Sequence, residues 1–379
     1  MRVLFAGVPG VGHLFPLVPL ARAMRGLGHE VAVTSMDGGE PVAASGLPYL
    51  PLAPGLDWRV RIREAGRDER PDLMRRVVES NSADREAFVP LAARVNSAVA
   101  DDAVELAARW RPDLVVYDYL FPVALLAATA LGVPAVQHDL GFVRTPGLRD
   151  LMLTEMADAF ARHGADRLPA PAETIDLAPP SMAGAERYGC PLRPVAYNGD
   201  DALPDALAAP ADRPRIAVTL GTVPPKTDGL TRVERVIAAA AEVDADFVLA
   251  TGDLDLDTLG TLPGNVHAHG WVPWRALLDT CAAAVHHGGS GTALAALDAG
   301  IPQLVLPDGS DRFINADAVR DRGAGLSATA EEIAPALLDR LLTDPALSRA
   351  AREVSAEIAT MPSPTAVAQR LTTLPGLAG

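Results

Sequence analysis

Two short stretches of this 379-residue chain set reactive side chains beside clustered glycines. The first is Gly7-Val8-Pro9-Gly10-Val11-Gly12-His13. It follows a brief apolar run, Arg2 to Gly7, suited to a buried parallel strand, so it presents an imidazole at a strand's carboxyl edge. Open α/β sheets place their chemistry at that edge. Histidine is the side chain best suited to take a proton near neutral pH, and a general-base histidine needs a carboxylate to orient it. Asp118 closes the strand-like run 113–118 and is expected on the same edge of the same sheet. His138 and Asp139, after the next run, are weaker competitors. The plainer reading makes His13 and Asp118 caps of the segments that follow them. Two phosphate motifs fail on spacing. A P-loop needs Lys and Ser/Thr where His13 and Leu14 stand. A dinucleotide turn needs G-x-G-x-x-G and an acidic end to the second strand, but the order is G-x-x-G-x-G and that strand ends Val33-Thr34-Ser35.

The second stretch is sharper. A strand-like run, 282–287, ends at His286-His287 and passes at once through Gly288-Gly289-Ser290-Gly291-Thr292 into an Ala/Leu helix. Glycines let backbone N–H groups approach an oxyanion, Ser290 and Thr292 add hydroxyls, and the helix start contributes about half a positive charge. This is a diphosphate cradle that works without a basic protein, with His287 as a further donor; the alternative is a plain tight turn. Upstream, Trp271 stands at a strand end, where it can stack on a flat base while the backbone of Val272 reads the base edge; a core Trp is the competing reading. Downstream, Asp308 and Asp311 follow the next strand and can accept from sugar hydroxyls, or form a solvated turn. Thr219, Gly221 and Thr222 lie at the mouth of the first strand of this half and can also touch phosphate.

The elements that carry these residues alternate. Strand-like runs fall at 2–7, 29–35, 48–53, 113–118 and 134–139, with a helix at 17–27 and a long charged helical stretch over 69–110. Residues 164–214, rich in Pro, Ala, Asp and Gly, break the rhythm, and strands resume at 215–222, 246–252, 265–272, 282–287 and 303–307. Alternating strands and helices imply a doubly wound parallel sheet. The expected architecture is two such domains, 1–197 and 215–360, with a linker at 198–214, a ligand cleft between the domains, and a tail at 361–379 returning to the first. Hydrophobic residues at 49% and charged residues at 21% are ordinary globular composition. A net charge of −15 argues against nucleic acid and anionic membranes as partners. Cys190 and Cys281 have no CxxC spacing and read as free thiols. The apolar opening is too short for a secretion signal and no run is long enough to span a bilayer, so a cytoplasmic protein is expected.

On these residues the chain resembles the bacterial natural-product branch of the UDP-glycosyltransferase superfamily, whose members decorate macrolide, aromatic polyketide and enediyne antibiotics. The resemblance covers nearly the whole length. Its most specific part is WVPWRALLDTCAAAVHHGGSGTALAALDAGIPQLVLPDGSDRFINA (271–316), joined by GHLFPLVPLA near the start, by APPSM and by RPVAYNG. It implies an α/β fold of two facing Rossmann-like domains (GT-B type) with an interdomain cleft, acceptor on the first and nucleotide sugar on the second. It assigns His13 as general base and Asp118 as its partner, puts His287, Gly288, Ser290, Gly291 and Thr292 on the diphosphate, with Gly289 and Thr222 beside them, and Trp271 and Val272 on the base. No metal or other cofactor is implied. Two departures stand out. Plant relatives carry a ribose-binding Glu where Ala295 stands, which favours a dTDP-sugar over a UDP-sugar. The usual Asp-Gln pair is Asp311-Arg312, which suits an uncommon deoxysugar. The expected reaction is a single inverting displacement onto a hydroxyl of a small aglycone, with Trp58, Phe88 and Phe142 as acceptor contacts. A homodimer is compatible with this reading. The alternatives are a nucleotide-sugar 2-epimerase and a non-catalytic auxiliary partner of a glycosyltransferase.

Overall fold

Apolar runs of this kind, too short for helices, become strands covered on both faces. In the computed structural model, β1 (Arg2–Ala6), β2 (Glu30–Ser35), β3 (Tyr49–Pro51), β4 (Leu114–Asp118), β5 (Ala135–His138), β6 (Glu173–Asp176) and β7 (Cys190–Pro191) form one sheet in the order β3-β2-β1-β4-β5-β6-β7. A second sheet holds β8 (Arg215–Thr219), β9 (Asp246–Ala250), β10 (Val266–His269), β11 (Ala283–His286), β12 (Gln303–Val305) and β13 (Gly325–Ser327), in the order β10-β9-β8-β11-β12-β13. Every strand pair in both sheets is parallel. The structure describes residues 1–68, 70–80, 84–165, 169–184, 188–221, 231–252 and 259–377.

Each sheet reverses its strand order once, between β1 and β4 and between β8 and β11. Such a switch point sends the flanking helices to opposite faces and opens a crevice at the carboxyl ends of the two strands. Register fixes what borders it: Ala6 lies opposite Tyr117 in the first sheet, and Thr219 opposite His286 in the second. The residues that leave β1, β4, β8 and β11 are therefore placed to do chemistry by the topology alone.

The chain divides into two compact units, Met1–Leu177 with Glu186–Arg193 and Pro362–Gly379, and Ala178–Ala185 with Pro194–Met361. The last helix, Pro364–Leu371, rests on the helix Val18–Gly26 of the first unit, and Arg370 pairs with Glu173 at 2.6 Å. Residues 198–214 do not form a free tether. Leu207 is buried in the core of the second unit beside Trp274 and Leu277, and Arg215 binds the Leu207 carbonyl at 2.6 Å. Their Pro- and Asp-rich composition reflects irregular chain laid on a surface. The long charged helical stretch expected over 69–110 holds three described helices, Pro71–Glu79, Arg85–Ala98 and Ala100–Trp110. Asp84 caps the second of these by accepting the Ala87 N–H at 3.0 Å, a local bond that outcompetes continuation. Among the described residues no helix is long and apolar enough to cross a membrane.

Candidate active site

Gly10 opens the site of the first unit. Its φ of 118° is one that glycine adopts without strain, and it turns the chain from β1 into the short helix Val11–Leu14. Gly7 answers a different need: a Cβ there would lie 3.0 Å from the Leu14 side chain and 3.5 Å from Asp118 Cβ. This close turn carries His13 to the end of β4, with Nδ1 2.6 Å from Asp118 Oδ2. The Asp118 side chain is fully buried, whereas His13 keeps 29% of its side chain exposed. Asp118 Oδ1 accepts the Leu120 N–H at 3.0 Å. A carboxylate only accepts, so the ring proton belongs on Nδ1 and the imidazole lone pair falls on Nε2.

The competitors are both buried. His138 lies in register with Asp118 on β5, and burial holds it down at about 4. Asp139 receives the Tyr188 hydroxyl, Gln137 Nε2 at 2.8 Å and the Thr145 hydroxyl at 3.0 Å; burial nevertheless pushes it up to about 6. Of the three aromatic acceptor candidates, Trp58 and Phe88 meet edge to face at 6.4 Å, half-buried against the core. Phe142 is only 4% exposed. It is a core side chain rather than an open contact, because the loop after β5 turns its apolar residues inward.

In the second unit β11 runs through His287, Gly288 and Gly289 into the helix Ser290–Ala299. A Cβ on Gly289 would lie 2.6 Å from His287 Nε2, and one on Gly221, after β8, 2.6 Å from His287 Cε1. Glycines on both sides of the switch point thus wall the His287 ring. Burial first, then the nearby Arg312, holds His287 down at about 3, so the ring is neutral and lends no charge. His286 is neutral too, held at about 4 by burial; its Nε2 meets Gln303 Oε1 at 2.6 Å and its Nδ1 accepts the Gly288 N–H at 3.1 Å. The first bond inside the helix runs from Ala293 N–H to Gly289 O at 2.9 Å. The N–H groups of Ser290, Gly291 and Thr292 therefore have no acceptor within the helix.

Other expected positions divide. The Ser290 hydroxyl donates to Asp311 at 3.0 Å and accepts from Asn315 at 3.1 Å, so its backbone, not its hydroxyl, faces outward chemistry. Thr222 lies outside the described residues. Asp308 differs from its expected role as an open acceptor for sugar hydroxyls. It is almost fully buried and ion-paired with Arg232 at 2.6 Å and with Arg312, as a buried carboxylate must be. Asp311 binds Ser290 and Asn315. Sequence reasoning overlooked Asn315, which also donates to the Gly288 carbonyl at 2.7 Å; its spacing of four from Asp311 on one helix was the available signal. Trp271 keeps 43% of its surface exposed while its indole N–H holds Asn198 O at 2.8 Å, which fixes an open flat face. The Val272 side chain is buried in the core, leaving only its backbone for recognition. Among the described residues no cluster of His, Cys, Asp and Glu is gathered for a metal ion.

Comparison with known proteins points the same way. Residues 22–221 match the family Erythromycin biosynthesis protein CIII-like, N-terminal domain, and residues 234–374 its C-terminal domain. The elloramycin glycosyltransferase of Streptomyces olivaceus is 38% identical, covering 100% of this chain and 98% of its own. The crystal structure of the glycosyltransferase SnogD from Streptomyces nogalater superposes with a TM-score of 0.83 at 37% identity, over 99% of each chain. The spinosyn rhamnosyltransferase SpnG, solved with thymidine diphosphate, gives 0.85 at 28% identity, over 98% of this chain and 100% of its own.

Proposed function

The chain belongs to the erythromycin biosynthesis protein CIII-like family of antibiotic glycosyltransferases, and on that premise we propose that it moves a deoxysugar from a dTDP carrier to a hydroxyl of a polyketide aglycone, with inversion. The observation that carries this reading is the 2.6 Å bond from His13 to the buried Asp118 at the switch point of the first sheet. His13 Nε2 takes the proton of the acceptor hydroxyl, and Asp118 stabilises the imidazolium that forms. The acceptor oxygen attacks the anomeric carbon as the bond to the diphosphate breaks, so configuration inverts. The proton rests on His13 until solvent removes it.

The second unit supplies the leaving-group side. The N–H groups of Ser290, Gly291 and Thr292, at the start of a ten-residue helix, face charge that grows as the diphosphate departs. Trp271 supplies the platform for the thymine, and Ala295 in place of an acidic residue suits a ribose without a 2′-hydroxyl. Asp311 is the remaining carboxylate for sugar hydroxyls, since Asp308 is committed to arginines. No metal enters this scheme, because backbone dipoles face the diphosphate. The epimerase and auxiliary readings gain nothing from the relatives named above, and a lost dyad or cradle, the mark of an auxiliary protein, is not found here. The test is a matrix of dTDP- and UDP-sugars against aromatic polyketide and macrolide aglycones, read by mass spectrometry. A glycosylated aglycone with a dTDP-sugar is expected. Donor consumed without acceptor, or UDP-sugars used exclusively, would overturn the proposal.

A further inference from the structure

The short loop between Asp118 and the helix Val123–Leu131 is held by a neighbouring helix, Arg85–Ala98, at two places. Asn96, 3% exposed in the last turns of that helix, donates from Nδ2 to the Leu120 carbonyl at 3.1 Å and accepts the Val123 N–H on Oδ1 at 3.2 Å. Arg85, in its first turn, donates to the Tyr119 hydroxyl. Leu120 is the residue whose N–H fixes Asp118 Oδ1 at 3.0 Å. One residue, Leu120, thus separates Asn96 from the catalytic carboxylate: its carbonyl is gripped by Asn96 and its own N–H grips Asp118. The same helix carries Phe88, packed edge to face on Trp58, so the anchor of the dyad and one member of the aromatic pair expected near the acceptor share a helix.

We infer that Asn96 is a positioning residue for the reaction: it sets the rotamer of Asp118, and through it the ring of His13, by clamping the Leu120 peptide. Helix interiors do not favour Asn, whose side chain competes for backbone bonds. Here the side chain does reach back to the Ala92 carbonyl at 2.9 Å, yet its two remaining bonds both go to the loop after β4. A core filler at this depth would be apolar. The amide is matched to one donor and one acceptor on a loop whose only charged member is Asp118. The titratable groups facing that loop include His13 on Asp118 itself, the loop's own Tyr119 with Arg85 on its hydroxyl, and His138 from β5, in register with Asp118.

This inference rests on the His13–Asp118 reading, and the test separates the two. Turnover is measured with saturating donor and the acceptor found in the matrix above, across pH, for the wild type and for Asn96→Leu, Asn96→Asp and His13→Ala. Asn96→Leu, which loses both bonds to the loop, is expected to cut kcat by about 10–100-fold, in line with the cost of misplacing a catalytic group by an ångström, while thymidine diphosphate affinity stays within about twofold. Asn96→Asp keeps the acceptor for Val123. When protonated it can still donate to Leu120; when ionised it cannot, and it sets a negative charge beside Asp118. Its activity relative to wild type should therefore fall as pH rises, a signature that a purely structural role would not produce. If Asn96→Leu does not fold, the Asn96→Asp profile decides alone. A flat ratio across pH, with His13→Ala inactive, overturns the role of Asn96 and leaves the dyad standing. Full turnover by His13→Ala removes the dyad, and this inference with it.

Discussion

Replacing Asp118 by Asn changes no volume, and the structure dictates how the new amide must sit. Leu120 N–H points at Oδ1 from 3.0 Å, so the amide oxygen takes that place and the NH₂ group faces His13. Nδ1, 2.6 Å from Oδ2 in the parent, must then accept rather than donate. The ring proton moves to Nε2, where the acceptor hydroxyl needs a lone pair. The imidazolium also loses its counter-charge: two charges about 4 Å apart interact by about 4 kcal/mol at an effective dielectric of 20, worth about 10³ in rate at about 1.4 kcal/mol per decade. That sits within the roughly 10²–10⁴ that a positioned base contributes. Asp118→Asn should therefore lower kcat by about 10³, move the acid limb of the pH–rate profile downward because the imidazolium forms less readily, and leave thymidine diphosphate affinity unchanged. Steady-state kinetics from pH 5.5 to 9 with mass detection of product, paired with calorimetric titration of the nucleotide, reads all three. Turnover within tenfold of the parent would refute the assignment of a base to this dyad.

Further outcomes follow from the same geometry. His138, His286 and His287 are held at about 4, about 4 and about 3 by burial, against an unfolded value of about 6.5. Below that value the unfolded chain binds protons that the fold refuses, so their contribution is complete above about pH 6.5 and declines as pH falls, by about 2 kcal/mol each at pH 5. Urea unfolding at pH 7 and pH 5 checks this; equal midpoints would contradict it. Gly289→Val puts a Cβ 2.6 Å from the His287 ring, and the strain of about 1–3 kcal/mol should weaken thymidine diphosphate binding at least tenfold, read by calorimetry, with intact affinity counting against the cradle. Trp271→Ala removes an open stacking face and should cost about 1–3 kcal/mol of nucleotide affinity, much of it restored by Trp271→Phe; no loss would move the base elsewhere.

What could be read from residues alone were features with local causes. The glycine turns after β1 and β11, the helix ending near Leu27 and the strands around His13, Asp118 and His287 all follow from apolar run length and glycine placement. Short edge strands carried no such signal: Cys190–Pro191 and Gly325–Ser327 exist because a neighbouring strand offers backbone partners. Partner choice was likewise hidden. An aspartate after a strand looks available for a sugar whether or not arginines reach it, and Arg232 lies 76 positions before Asp308 in the chain. Asn96 and Asn315 looked like ordinary polar helix residues, because what distinguishes them is the loop each one clamps.

The first unit is not finished until its last strip of chain arrives. Its opening strands and its final helix, Pro364–Leu371, belong to the same body, with the whole of another folding unit synthesised between them. Arg193 N–H closes on the Pro362 carbonyl at 2.8 Å, and Glu173 waits for Arg370. On the ribosome, where domains ordinarily complete in the order of their synthesis, the later sheet can therefore settle first while His13 and Asp118 still sit in an incomplete scaffold. On the proposed function, the nascent chain gains its nucleotide-binding turn before a complete scaffold for its general base.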